Sequence, residues 1–217
     1  MKKCIILANG TPPPKNVFNY LYKVGYETLI CADGGANSAV KYELLPDYII
    51  GDLDSIKPET YDYYFDRAKI IQIKRQNDTD VEKCLKFAMK HKFTEVVLLG
   101  ATGNRLDHSI CNLGIVLKFY DTIKISIIHE ESILKPYTGT VSLKTFPGET
   151  ISLYGFDGKT KITSTGLKYK LTDSALHFGK KESTSNVAKG ELVTLKIKNG
   201  VAFVVRNFNL LKKNGLV

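Results

Sequence analysis

Four times in the first half of the chain a short apolar run rich in β-branched residues ends in a turn that carries aspartate. The turns are Ala32-Asp33-Gly34-Gly35, Gly51-Asp52-Leu53-Asp54-Ser55, Asn77-Asp78-Thr79-Asp80 and Gly103-Asn104-Arg105-Leu106-Asp107. Buried strands are expected at residues 3–8, 28–32, 48–50, 69–73, 95–99 and 124–128. Helical period runs between them: Val81, Cys84, Leu85 and Ala88 recur at i, i+3, i+4, i+7, and Leu106, Ile110, Leu113 and Leu117 share one apolar face, expected to pack inward. Alternating β and α units imply an α/β domain built on a doubly wound, mostly parallel sheet with helices on both faces. The turns after such strands lie along one edge of the sheet, where open α/β folds bind ligands.

After about residue 130 the helical period stops. Short alternating runs at 141–144, 150–154, 190–198 and 200–206 are separated by turn signals at Thr138-Gly139, Pro147-Gly148, Asp157-Gly158 and Asn199-Gly200. The last reads as a two-residue hairpin loop. The expected organisation is an α/β domain over 1–129 and an all-β domain, a small β-sandwich, over 130–217.

A net charge of +9 sits unevenly: residues 1–129 hold 17 Lys+Arg against 15 Asp+Glu, and residues 130–217 hold 14 against 7. A basic surface serves nucleic acid or steers a small polyanion such as a nucleotide, and the scattered lysines, with no arginine-rich run, favour neither. Cys4, Cys31, Cys84 and Cys111 show no CxxC spacing and lie in apolar patterns, so reduced, buried thiols are expected. No apolar stretch reaches the roughly 20 residues of a membrane helix. The start of the chain lacks a signal-peptide core. The expectation is a cytoplasmic protein.

Each motif has a plain structural reading beside a functional one. Asp52 and Asp54, one residue apart, repel by roughly 4 kcal/mol at 4 Å and an effective dielectric near 20, a penalty a divalent cation removes. Mg²⁺ commonly takes one or two carboxylates and leaves its other positions to water and phosphate oxygens. The plain alternative is a solvated turn with Asp54 capping a helix. Asp78-Thr79-Asp80 opens the strongest helix, and Thr79 with Glu82 fits a capping box. Gly34, Gly35 and Asn37 stand at a helix start, where backbone N–H groups can approach an anion, although the G-x-G-x-x-G fingerprint is absent. Thr102, Asn104, Arg105, Asp107 and His108 combine hydrogen-bonding groups with a guanidinium suited to phosphate oxygens. Lys74 and Arg75 are phosphate clamps or solvated charges.

In their order along the chain these residues resemble the thiamine pyrophosphokinases. The resemblance spans Ala32-Asp33-Gly34-Gly35-Ala36-Asn37, Gly51-Asp52-Leu53-Asp54-Ser55-Ile56, Thr79-Asp80 with Lys83-Cys84-Leu85, and Gly103-Asn104-Arg105-Leu106-Asp107-His108. In the second half it takes in Ser164-Thr165-Gly166-Leu167-Lys168-Tyr169, Leu171-Thr172, Phe178-Gly179 and Ser183-Thr184-Ser185-Asn186. It implies an α/β nucleotide- and metal-binding domain, a β-sandwich that binds thiamine and dimerises, and a homodimer whose thiamine site is shared between subunits. It implies transfer of the pyrophosphoryl group of ATP to the thiamine hydroxyl, giving thiamine diphosphate and AMP. By motif, Asp52, Asp54 and Asp80 match the magnesium ligands, while Asp33, Arg105 and Asp107 match other catalytic positions. Gly34, Gly35, Asn37, Ser55, Lys74, Asp78, Thr79, Thr102, Asn104 and His108 fall in the segments around the substrates. Gln76 aligns near the thiamine pyrimidine, and Ser183, Ser185 and Asn186 lie on the strand that closes the pocket from the partner. Two departures stand out: Asn77 replaces the usual aspartate, and Tyr169 stands where some members have tryptophan. Two other readings use the same residues: a D-x-D sugar-nucleotide transferase, and a noncatalytic nucleotide- or RNA-binding module.

Overall fold

The structure is a computed structural model of residues 1–217, and Gln76 and Asn104, both expected at the site, lie outside the described residues. The chain divides into two compact units, Met1–Glu130 and Glu131–Val217.

The first unit alternates strictly: β1 (Lys3–Leu7), α1 (Lys15–Lys23), β2 (Thr28–Ala32), α2 (Gly35–Lys41), β3 (Tyr48–Gly51), α3 (Pro58–Tyr64), β4 (Lys69–Gln72), α4 (Asp80–Lys90), β5 (Glu95–Leu99), α5 (Leu106–Phe119) and β6 (Lys124–His129). Its strands pair in parallel in the order β6-β5-β1-β2-β3-β4. The central strands read as unbroken aliphatic runs because both faces are covered: Cys4 to Leu7, Leu29 to Ala32 and Val96 to Leu99 are all buried. Each such side chain contributes on the order of 1.5–3 kcal/mol relative to exposure. The order reverses direction at β1, whose neighbours are β2 and β5, so the switch point lies between β1 and β5. At Gly35 a Cβ would stand 2.1 Å from the Leu7 carbonyl oxygen, so only glycine lets α2 begin against β1.

Helix α5 corrects the expected packing. Leu106 and Ile110 are exposed, and the buried residues are Asn112, Ile115, Val116 and Phe119. The helix is apolar on more than one side, and the β-sheet takes the β-branched side. Cys111 on the same helix is exposed, against the expectation of four buried thiols.

The second unit contains β7 (Ser132–Lys144), β8 (Thr150–Tyr154), β9 (Lys161–Thr165), β10 (Ser174–Ala175), β11 (Ser183–Val187), β12 (Leu192–Asn207) and α6 (Phe208–Lys213). The hairpin expected at Asn199-Gly200 is not there. Residues 192–207 form one strand that pairs with β7 along both their lengths, and between the pairs Ile197↔Gly139 and Ala202↔Tyr137 four residues of β12 face one of β7. This large bulge uses the left-handed conformation of Asn199 and Gly139, φ 59° and 69°. Thr138 Oγ1 donates to the Gly200 carbonyl at 2.9 Å. A Cβ on Gly200 would come within 2.0 Å of Thr160 Oγ1. The Asn-Gly signal is real, but it bends a strand instead of reversing the chain. Before the bend β12 pairs with β9 and after it with β8, so two sheet halves close on one core that includes Leu143, Ile151, Leu153, Ile162, Val193 and Leu195. The half read as all-β also ends in a helix: the Asn207 side chain accepts from the Leu210 amide, and Phe208 and Leu211 are buried.

Candidate active site

Asp33 ends β2 with φ 44°, a left-handed conformation that aspartate tolerates better than most residues. The residue is 1% exposed, and Oδ2 accepts from the amides of Leu53 at 2.9 Å and Asp54 at 3.2 Å, tying the β2 and β3 turns together. Oδ1 is buried with no hydrogen-bond partner. One carboxylate oxygen each from Asp33, Asp52 and Asp80 lies within 4.8 Å of the others. Burial first, then contact with the Asp52 carboxylate and the charges of Asp80 and Asp54, push the Asp33 pKa up from 3.8 to about 6.

A cation that the sequence motif contained without a role sits among these acids. Lys83 Nζ is 2.8 Å from Asp80 Oδ1 and 3.7 Å from Asp52 Oδ2, with 2% of its side chain exposed. Asp80 and Lys83 are one turn apart on α4, which starts at Thr79: the Thr79 hydroxyl accepts from the Glu82 amide at 3.2 Å. The reciprocal half of the capping box is redirected, because the Glu82 carboxylate takes Lys86 and Lys118, each at 2.7 Å.

Several expected site residues are occupied in holding the turns. Asn37 donates to the Ser55 carbonyl at 2.9 Å and accepts from the Lys57 amide at 3.0 Å, fixing the β3–α3 turn to α2. Ser55 Oγ donates to Asp54 Oδ1 at 2.9 Å, and Asp54 lies outside the close carboxylate trio. Asp78 is bound by Arg75 and by Lys86, so its carboxylate anchors the β4–α4 turn and does not replace the missing acid at Asn77. Those two cations hold it below the ordinary carboxylate range, the Lys86 bond foremost. Lys74 is exposed. Gly34 and Gly35 start α2 against Asn9 and Leu7.

At the switch point the β1 and β5 turns are laced by backbone: the Gly10 amide donates to the Gly100 carbonyl at 2.7 Å and the Thr11 amide to that of Thr102 at 3.0 Å. Thr102 Oγ1 is buried without a partner. Arg105 forks onto Asp107 through Nε and Nη2, and that guanidinium holds the Asp107 pKa down to about 2. His108 is exposed on the first turn of α5. In the second unit, Asn186 is buried, its amide donating to the Tyr169 carbonyl and Ser183 Oγ and accepting from the Tyr169 amide. Ser185 is exposed with φ 52°, at the irregularity between β11 and β8.

Residues 21–128 match the family model described as thiamin pyrophosphokinase, catalytic domain, and residues 131–202 match thiamin pyrophosphokinase, vitamin B1 binding domain. The chain belongs to the thiamine pyrophosphokinase family. It is 29% identical over 221 residues to thiamine pyrophosphokinase 2 of Oryza sativa subsp. japonica, covering 83% of this chain and 78% of that protein. It is 29% identical over 230 residues to thiamin pyrophosphokinase 1 of Caenorhabditis elegans, covering 97% and 91%. Among solved structures, yeast thiamin pyrophosphokinase superposes with a TM-score of 0.83 at 19% identity, covering 95% of this chain and 86% of that one. The Candida albicans enzyme gives 0.81 at 21%, covering 95% and 89%. The α/β and β-rich fold expected from the sequence is therefore that of the thiamine pyrophosphokinases.

In this member of the thiamine pyrophosphokinases the raised Asp33 pKa predicts a pH dependence with a definite sign. A carboxyl that holds its proton more tightly in the fold favours folding below the unfolded value near pH 4, and that contribution is lost as pH rises through about 6. In metal-free protein, the stability of Asp33→Asn minus that of the native chain should therefore grow between pH 4 and 6.5 in urea unfolding. A difference that stays flat over this window would remove the burial and charge account of Asp33.

Proposed function

We propose that this protein is a thiamine pyrophosphokinase that transfers the pyrophosphoryl group of Mg²⁺-bound ATP to the hydroxyl of thiamine, releasing AMP and thiamine diphosphate. The observation that carries this reading is the meeting of Asp33, Asp52 and Asp80 at one sheet edge in a chain that matches both family domains in order.

The residues fit a hard divalent ion. All three close ligand atoms are carboxylate oxygens, and the buried Asp33 Oδ1 has no other partner. Asp52 and Asp80 would hold the ion with Asp33, and Asp54, tied to Asp33 through its amide, is the further ligand the family motif assigns. When bound, the ion neutralises triphosphate charge and polarises the phosphorus that is attacked. The chain's own contribution is positioning and charge. Arg105, which forks onto Asp107 in the free protein, is proposed to turn its guanidinium to phosphate oxygens, and Thr102 offers a hydroxyl at the switch point. Asp33 and Asp107 are the two carboxylates proposed to take the thiamine hydroxyl proton, and Asp107, held down to about 2 by Arg105, is a weak base while that pair persists. Gln76, Asn104, Lys74, His108, Ser183 and Ser185 are proposed contacts to the substrates. Asn37, Asp78, Thr79 and Asn186 serve by fixing the turns that carry them.

We further propose a homodimer with thiamine held between subunits, the first unit supplying nucleotide and metal contacts and the second thiamine contacts. The exposed Leu106 and Ile110 of α5 and Phe178 and Tyr169 of the second unit support a partner. Unpaired thiols, three of them buried, support a reducing, cytoplasmic setting. No helix among the described residues is long and apolar enough to cross a membrane. The sugar-nucleotide transferase and RNA-binding readings are not favoured by a chain that matches both family domains.

Incubation with ATP, Mg²⁺ and thiamine tests the reaction. AMP and thiamine diphosphate in equal amounts, each requiring thiamine, are expected. ADP with thiamine monophosphate would mean γ transfer, and no thiamine-dependent nucleotide turnover would overturn the proposal. Sedimentation at assay concentration tests the assembly, and a monomer would exclude a shared site.

A further inference from the structure

Four aspartates and one ammonium meet where the β2, β3 and β4 turns converge. Asp33, Asp52 and Asp80 converge within 4.8 Å, Asp54 acts on Asp33 through space, and Lys83 brings positive charge into contact with Asp52 and Asp80. A lysine 2% exposed keeps its charge only if its partners repay the lost hydration. Its partners are the carboxylate oxygens of Asp80 at 2.8 Å and Asp52 at 3.7 Å. The ammonium is therefore fixed in place, and it is fixed against two of the carboxylates assigned to the ion.

We infer that Lys83 is the built-in counter-ion of the carboxylate cluster: it holds Asp52 and Asp80 in their binding arrangement while no divalent ion is present, and its charge opposes the ion's arrival. This rests on the metal reading above. Two cations that share one set of carboxylates must weaken each other, and linkage makes the effect reciprocal. Lys83 so trades affinity for order. The metal-free site stays assembled, and the ion is held more loosely than four carboxylates alone would hold it. A purely structural lysine makes the opposite prediction, because disordering the ligands lowers affinity.

The test uses Mn²⁺ as the probe, titrated by electron paramagnetic resonance into the full-length native protein, Lys83→Met and Lys83→Arg, with thermal melts of each. For Lys83→Met the expected results are metal-free melting roughly 10 °C below native, Mn²⁺ binding about tenfold tighter, and a larger rise in Tm on saturation with Mn²⁺. Lys83→Arg, which keeps the charge, should not tighten binding. Equal or weaker Mn²⁺ binding in Lys83→Met would overturn the inference. A metal-free cycle separates it from the metal reading: Lys83→Met should cost much less in an Asp80→Asn background, and an equal cost would overturn the counter-ion role. Failure of the native protein to bind Mn²⁺, alone or with ATP, would instead overturn the metal reading, and the metal-free cycle would still decide the role of Lys83.

Discussion

Asp52→Asn is expected to lower the rate of AMP formation from ATP and thiamine by about a thousandfold, with melting and circular dichroism close to native. Asp52 is the hub of the cluster: it shares the close carboxylate trio with Asp33 and Asp80, and it faces Lys83 at 3.7 Å. The amide keeps the shape but removes the charge that attracts a cation and the oxygen that ligates it. Native turnover in this variant would remove the cluster from the chemistry. Asp54→Asn is the informative companion, because the Asp54 carboxylate turns to Ser55 and lies outside the trio. A loss as large as that of Asp52→Asn would mean that substrate draws Asp54 into the ion's shell, and a loss below about tenfold would leave Asp33 as the third ligand.

Arg206→Met is expected to destabilise the second unit by about 3–5 kcal/mol. Arg206 donates through Nε and Nη2 to the two oxygens of Glu149, at 2.6 and 2.8 Å, and through Nη2 to the Lys144 carbonyl at 2.7 Å. Side-chain exposure is 10% for the arginine and 1% for the glutamate, so removing the guanidinium strands a buried carboxylate. Urea unfolding measures the loss, and adding Glu149→Gln should recover about half of it, since the stranded charge goes with it. A double variant no more stable than Arg206→Met would place the cost in packing and in the Lys144 carbonyl instead.

The parts of this fold that were legible in the sequence are those governed by local period. Aliphatic runs at β1, β2, β3 and β5 had to be covered on both faces, and the turns behind them had to share an edge; the sequence grouped Asp52, Asp54 and Asp80 there, whereas the close trio is Asp33, Asp52 and Asp80. What escaped depended on three-dimensional partners. Lys83 stood in a motif with Thr79 and Asp80 but was given no role, because what distinguishes it is its burial against the carboxylates. Asn37 and Asp78 carried the right chemistry for a ligand yet turn inward to hold neighbouring turns. On α5 an apolar period picked the wrong face, since the helix offers two apolar sides and only the sheet selects between them. Asn199-Gly200 has the residues of a tight hairpin, but the pairing partner of both flanking segments is β7, and that long-range choice turned a reversal into a bend.

The continuous pairing of β7 with β12 also orders events in time as the chain is made. β7 is the first strand of the second unit and β12 the last, and their register joins Ser132 to Asn207. Every element of the first unit has been synthesised by residue 130, so that unit can complete its sheet while β7 still waits for a partner. Closing a loop of this length costs little more entropy than closing a shorter one, but it cannot be attempted until the final strand leaves the ribosome. During that interval β7 is a long strand with an open edge, the kind of surface that recruits wrong partners. Gly139, in the left-handed conformation beside the bulge, breaks the straight stretch such a partner could copy, so a residue that shapes the finished sandwich also protects the unfinished chain.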